Sequence, residues 1–154
     1  MNRLRAAFVL SCVLLCGCAD DAGAWMHDVR TWSAQADAAD ARGDRVAAID
    51  ALSRIVERQV PESVAAEDAR VVRQDACARL AERLLEHGDP ERAARVVAEG
   101  LALGEREDLF TANLLTVQGL VHEGRGDDRE AARAYHRALL IQEALLERAL
   151  GGDE

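Results

Sequence analysis

With 154 residues and a formal charge of −9, the chain has room for one domain and lacks the basic surface that nucleic acid binding needs. Hydrophobic residues make up 49% but aromatics only 3%, and the apolar set is mostly Ala, Leu and Val. That balance disfavours sheets and favours an all-α fold with a core of small side chains at close helix–helix distance. Two prolines, Pro61 and Pro90, leave long helices uninterrupted, and all 19 basic residues are arginine, a bias of coding rather than of chemistry. The acidic balance permits basic protein partners, although solubility alone also accounts for it.

The chain opens MNRLRAAFVLSCVLLCGCADD. Arg3 and Arg5 precede an apolar run from Ala6 to Leu15, too short for the roughly 20 residues of a membrane-spanning helix but of the right length for a signal-peptide core. Leu15-Cys16-Gly17-Cys18 resembles the bacterial lipobox, with Cys16 where Ala, Ser or Thr is commoner. The resemblance implies removal of residues 1–17 and lipidation of Cys18, with three acyl chains, palmitate among them. Ala19 directly after the cysteine then favours the periplasmic face of the outer membrane over the inner membrane. Residues 18–25 read as a lipidated N-terminus and short tether, which would set Trp25 at the membrane interface. Cleavage removes Cys12 and Cys16 and consumes Cys18, so Cys77 is left as a lone, buried, structural thiol and no disulfide framework is expected.

From residue 26 to residue 150 the chain reads as one helical domain. Three segments align on a Gly-Asp pair: RGDRVAAIDALSRIVERQVP from Arg42, HGDPERAARVVAEGLALGE from His87 and RGDDREAARAYHRALLIQE from Arg125. Each carries a small residue four positions after the Asp (Ala48, Ala93, Ala131), a larger one four later (Leu52, Val97, Tyr135), and an apolar or small one three beyond that (Ile55, Gly100, Ala138). Apolar residues precede each Gly at helical spacing, as in Cys77, Leu80, Ala81 and Leu84. The unit is a helical hairpin. Gly43, Gly88 and Gly126 end one helix in a left-handed conformation, and Asp44, Asp89 and Asp127 cap the next. Pro90 takes a first helical position, and Asp127 with Glu130 has capping-box spacing. The Arg-Gly-Asp triplet, which occurs twice, is therefore a turn and not an adhesion motif; His87 fills the same slot without completing it.

This pattern resembles the tetratricopeptide repeat. Trp32, Cys77 and Leu115 fall at its early helix position, Gly119 at its mid-helix Gly with Ala36 and Ala81 as small stand-ins, and Pro61 one residue past its usual Pro. The resemblance implies antiparallel helical hairpins stacked as a short right-handed solenoid of three units, approximately 29–62, 74–107 and 112–145, with 151–154 as a disordered tail. The spacing departs from the family's 34 residues: Gly43 to Gly88 is 45, and Gly88 to Gly126 is 38. The first surplus is about three helical turns. Placed in ESVAAEDARVVRQ, it predicts one long helix over 62–87 that overhangs the stack.

Function is expected to be non-enzymatic. His27, His87, His122 and His136 lack metal-ligand spacing, no glycine-rich phosphate loop is present, and no Ser or Cys sits in a nucleophile motif. Neither metal nor cofactor is implied. By the resemblance, the first helix of each unit lines a concave groove that holds a partner peptide or protein. The residues carried over are Arg30, Ser33, Asp37 and Asp40 in the first unit, and Asp75, Arg79, Glu82, Leu85 and Glu86 in the second. Asn113, Thr116, Val117, Leu120 and Glu123 complete the groove, which grades from acidic to apolar. A second surface is the last helix, where Leu139, Leu145, Leu146 and Leu150 offer more apolar width than one packing face requires. Docking there on another copy or on a larger envelope complex is one alternative, and a structural spacer without a specific ligand is the other.

Overall fold

The computed structural model describes residues 17–151, with side chains from Asp21 onward. The expected signal peptide as far as residue 16, and tail residues 152–154, lie outside the described residues. Among the described residues there are six α-helices and no strand: α1 (Gly17–Ala41), α2 (Arg45–Glu57), α3 (Ala66–His87), α4 (Pro90–Ala102), α5 (Leu109–Gly124) and α6 (Asp128–Leu150). The fold is all-α. Helices pack in sequential pairs, α1 with α2, α3 with α4 and α5 with α6, while α3 also packs on α2 and α5.

One turn geometry joins each pair. Gly43, Gly88 and Gly126 have φ of 72°, 87° and 77°, a region that only glycine enters without steric cost. In each turn the glycine N–H donates to the carbonyl three residues back, and the following Asp N–H to the carbonyl five back. The distances are 2.9 Å for both bonds at Gly43-Asp44, 3.0 and 2.8 Å at Gly88-Asp89, and 2.9 Å for both at Gly126-Asp127. Two carbonyls at each helix end thus find donors. Asp44 then accepts from Ala47 N–H at 3.1 Å and Asp89 from Arg92 N–H at 3.0 Å.

The third turn corrects the capping expectation. Asp127 makes no side-chain cap bond; its carboxylate lies 3.8 Å from His122 Nδ1. Glu130 pairs with Arg133 at 2.6 Å instead of returning to the backbone. The Asp127 N–H that a capping box would engage is already committed to the His122 carbonyl.

One apolar cluster runs through the helix pairs, from Trp25 and Val29 past Leu52, Ile55, Cys77, Leu80 and Leu84 to Val97, Leu114 and Val117. Small residues set the crossings. Ala48 and Ala93 are fully buried and Ala131 nearly so. A Cβ added to Gly119 would lie 2.3 Å from Tyr135 Cε1, and one at Gly100 only 3.0 Å from Cys77 Cβ, so the Tyr135 ring of α6 and Cys77 of α3 pack directly on these glycines.

The N-terminal third departs most from expectation. Residues 18–25 belong to α1 and are not a tether. Trp25 is fully buried and not at a membrane interface, while Trp32 is half-buried against the same cluster. The cause is the connection after α2. Arg58 leaves that helix in an extended conformation, and the chain folds back over α1. Arg58 pairs with Asp28 at 3.1 Å, and Met26, Val60 and Val64 pack on the cluster that holds Trp25. The surplus residues therefore divide between this connection and the first turns of α3, which begins at Ala66 rather than Glu62. Nor do those turns overhang: Ala69 and Arg70 are buried.

Candidate binding clefts

Arg70 is the buried centre of a polar clamp that holds the connection between α4 and α5. Its guanidinium donates to Glu67 at 3.0 Å and to Asp108 at 2.5 Å, and it also bonds Gln74. Gln74, fully buried, donates to the carbonyls of Gly100 and Gly104 at 3.1 Å each. Asp108 caps α5 by accepting from Thr111 N–H at 2.9 Å, and Thr111 Oγ1 accepts from Arg106 N–H at 3.0 Å. The Arg70 hydrogen bond holds Glu67 below the usual carboxylate range. At Asp108 burial opposes ionisation, but the bonds from Thr111 and Arg70 prevail and hold it low as well. The i, i+3 and i+4 spacing of Glu67, Arg70 and Gln74 is visible in sequence; the partner 38 residues away is not.

With α3 and α5 fixed in this way, seven of the expected groove residues, Ser33, Asp75, Arg79, Glu82, Leu85, Glu86 and Leu120, line two clefts. The first, of about 250 Å³, lies between α1, α2 and α3 and is walled by Val29, Ser33, Leu52, Ile55, Val72 and Phe110, with Asp75 and Arg79 facing it. Phe110 was not foreseen; it follows directly after the first residue of α5. The second cleft, of about 640 Å³, is lined by Glu82, Leu85 and Glu86 of α3 and by Leu120 and Gly124 of α5. Leu120 is 41% exposed, so the floor of this cleft is open apolar surface with carboxylates beside it.

Much of the expected acidity is used inside the molecule. Asp37 pairs with Arg79 at 2.5 Å and Asp40 with Arg83 at 3.6 Å, bridging α1 to α3. Glu86 pairs with Arg83 at 2.7 Å and lies 3.7 Å from Arg45. Asp75 and Glu82 keep raised carboxyl pKa values. Burial is the main cause at both; Asp37 adds to it at Asp75, and Glu86 and Asp75 add to it at Glu82. The clefts thus present Asp75 and Glu82, whose pKa values burial raises, beside the ion-paired Glu86 and Arg79.

Val117 is a correction to the groove set. It is 1% exposed and lies in the core on the Leu114, Val117, Val121 stripe of α5. The neighbouring Thr116 is half-buried and donates to the Ala112 carbonyl at 3.0 Å. Asn113 is half-buried and lines neither cleft, and Arg30 is exposed on α1. Glu123 accepts from Tyr135 Oη at 2.7 Å, tying α5 to α6. Burial first and this carboxylate second push the tyrosine up to about 12. Cys77 is buried and its thiol pushed up to about 11 by burial, which removes it from thiolate chemistry near neutral pH.

The last helix presents the second candidate surface. Only Ala131, Ala134 and Ala138 of α6 are buried. Leu139, Leu146 and Leu150 are exposed at 50%, 59% and 74%, share one face at i, i+7 and i+11, and lie about a quarter-turn from the packed alanines. Leu145 is half-buried on the packed side. Arg148 reaches Glu107 at 3.1 Å and so holds the end of α6 beside the start of α5, where Leu109 is also exposed.

No helix among the described residues is long and apolar enough to cross a membrane, and no three His, Cys, Asp or Glu of those residues converge as metal ligands. In comparison with known proteins, no family model and no curated protein matches the chain.

Proposed function

We propose that this chain is a bacterial envelope lipoprotein, acylated at Cys18, that works as a non-enzymatic scaffold. In this reading its three helical hairpins stack as a tetratricopeptide-like right-handed solenoid. A partner peptide or protein is held along the first helices of the units, on the periplasmic face of the outer membrane. The observation that carries the reading is the larger cleft, where Glu82, Leu85 and Glu86 of one hairpin face Leu120 of the next across about 640 Å³. Three turns of one geometry support the repeat, and the Leu-Cys-Gly-Cys run supports the anchor. Neither cofactor nor nucleic acid enters the proposal.

The recognition chemistry is apolar contact with Leu85 and Leu120, oriented by acidic side chains towards a basic or donor-rich partner. Reversing charge at Asp75, Glu82 and Glu86 abolishes recruitment of such a partner in cells, while Leu146→Glu leaves it intact; the opposite pattern refutes groove binding. Because burial raises the Asp75 and Glu82 pKa values, both protonate at higher pH than an unperturbed carboxylate does. Affinity for a basic partner is therefore expected to fall on acidification before exposed carboxylates titrate, which a pH series of binding isotherms checks.

One observation favours a second reading. Among the described residues, α6 exposes Leu139, Leu146 and Leu150 on one face. In that account the chain is a subunit of a larger envelope complex or a homo-oligomer, docked through α6. A spacer without a specific ligand is what remains if neither surface is used.

A further inference from the structure

A third cleft opens beside the start of α1. It measures about 410 Å³ and is walled by Ala22 and Met26 of α1, Val64 and Ala65 of the connection after α2, and Val71 and Val72 of α3, with Ser63 and Asp68 at its edge. Val71 and Val72 are also walls of the cleft that continues to Val29, Leu52 and Phe110. Together the two make one apolar trough along the seam between α1 and α3. It turns polar further along α3, where Asp75 and Arg79 face it.

Cys18 is four residues before Ala22 and eight before Met26 in the same helix. At about 1.5 Å per residue the Cys18 backbone lies roughly 6 Å along the helix axis from Ala22. The position read as the lipid attachment site therefore stands at the mouth of the trough. We propose that one acyl chain carried by Cys18 lies in this trough, while the remaining chains enter the bilayer. The inference rests on the acylation of Cys18 proposed above.

The lining selects this occupant over a peptide. A peptide backbone laid against Ala22, Met26, Val64 and Val72 would leave its N–H and C=O groups without partners, at a cost that an alkyl chain does not incur. Attachment at the mouth also makes entry intramolecular, so the chain is present at high effective concentration whatever the abundance of the protein. Two acyl chains left in the bilayer still anchor durably, as one alone does not. The end of the fold-back acquires a use in this account, since Ser63, Val64 and Ala65 wall the trough.

The test is metabolic labelling of cells with a palmitate analogue that carries a photoreactive diazirine near its end, followed by irradiation and peptide mapping of the full-length protein. Cys18→Ala serves as the labelling control. Adducts on peptides that contain Met26, Val64 or Val72 within one copy are expected, and Val72→Arg should reduce them at least fivefold while label at Cys18 is unchanged. Label at Cys18 with adducts only to phospholipid, or only between two copies, overturns the trough and leaves the anchor standing. Absence of label at Cys18 overturns both. Should Val72→Arg fail to fold, the adduct map of the unaltered protein still decides.

Discussion

At the residue scale, the three Gly-Asp turns share a backbone but not a capping bond, and that difference is measurable. Asp89→Ala removes an acceptor from the first turn of α4 and is expected to cost about 1 kcal/mol. Asp44→Ala should cost a similar amount at α2, whereas Asp127→Ala should cost a few tenths at most, because its carboxylate accepts no backbone N–H. Urea denaturation of the three variants checks the ranking; equal losses would show that Asp127 caps in solution. Gly119 offers a steeper test. A methyl there meets the Tyr135 ring at 2.3 Å, so Gly119→Ala must displace a side chain held by Glu123. A loss of about 1–3 kcal/mol is expected for overpacking. In Gly119→Ala with Tyr135→Ala the ring is gone, so the penalty of the glycine change should vanish.

At the element scale, helix identity and the turns were legible because they are local. Gly43, Gly88 and Gly126 each declare a left-handed helix end, and apolar spacing declares the packed face. What escaped the sequence depends on contacts distant in the chain. Trp25 reads as an interfacial aromatic until residues 58–65 fold over it. Val117 reads as a groove position until the Leu114–Val121 stripe is seen to face inward. The partner of Arg70, Asp108, arrives from the far side of α4, 38 residues on. This clamp carries a prediction of its own. Arg70→Met strands buried Gln74 and half-buried Asp108 and should cost about 1–3 kcal/mol. Glu67 and Asp108 both have folded-state pKa values below their unfolded ones. Their contribution is therefore present above the unfolded values, near pH 4, and is lost as pH falls through the folded values. The wild-type protein should lose stability more steeply than Arg70→Met below about pH 4, as read by thermal melts across pH; parallel acid limbs would remove the clamp from the account.

At the scale of the whole molecule, the surplus between the first two turns builds the wall over α1 instead of an overhanging helix, and the ion pairs from α1 to α3 consume acidity that the sequence seemed to reserve for a partner. The net charge of −9 is thus a poor guide to recognition. The informative carboxylates are Asp75 and Glu82, which face clefts and whose pKa values burial raises. Two surfaces remain in competition, the cleft between α3 and α5 and the leucine stripe of α6. They lie on different helices, and a probe on one reports little of the other. The most direct measurement is photo-crosslinking in intact cells, with the reactive side chain placed at Glu82 in one strain and at Leu146 in another. A discrete adduct from Glu82, lost when Glu86 is charge-reversed, is the predicted result. Adducts from Leu146 alone, with the Glu82 protein folded and acylated, would contradict groove recognition.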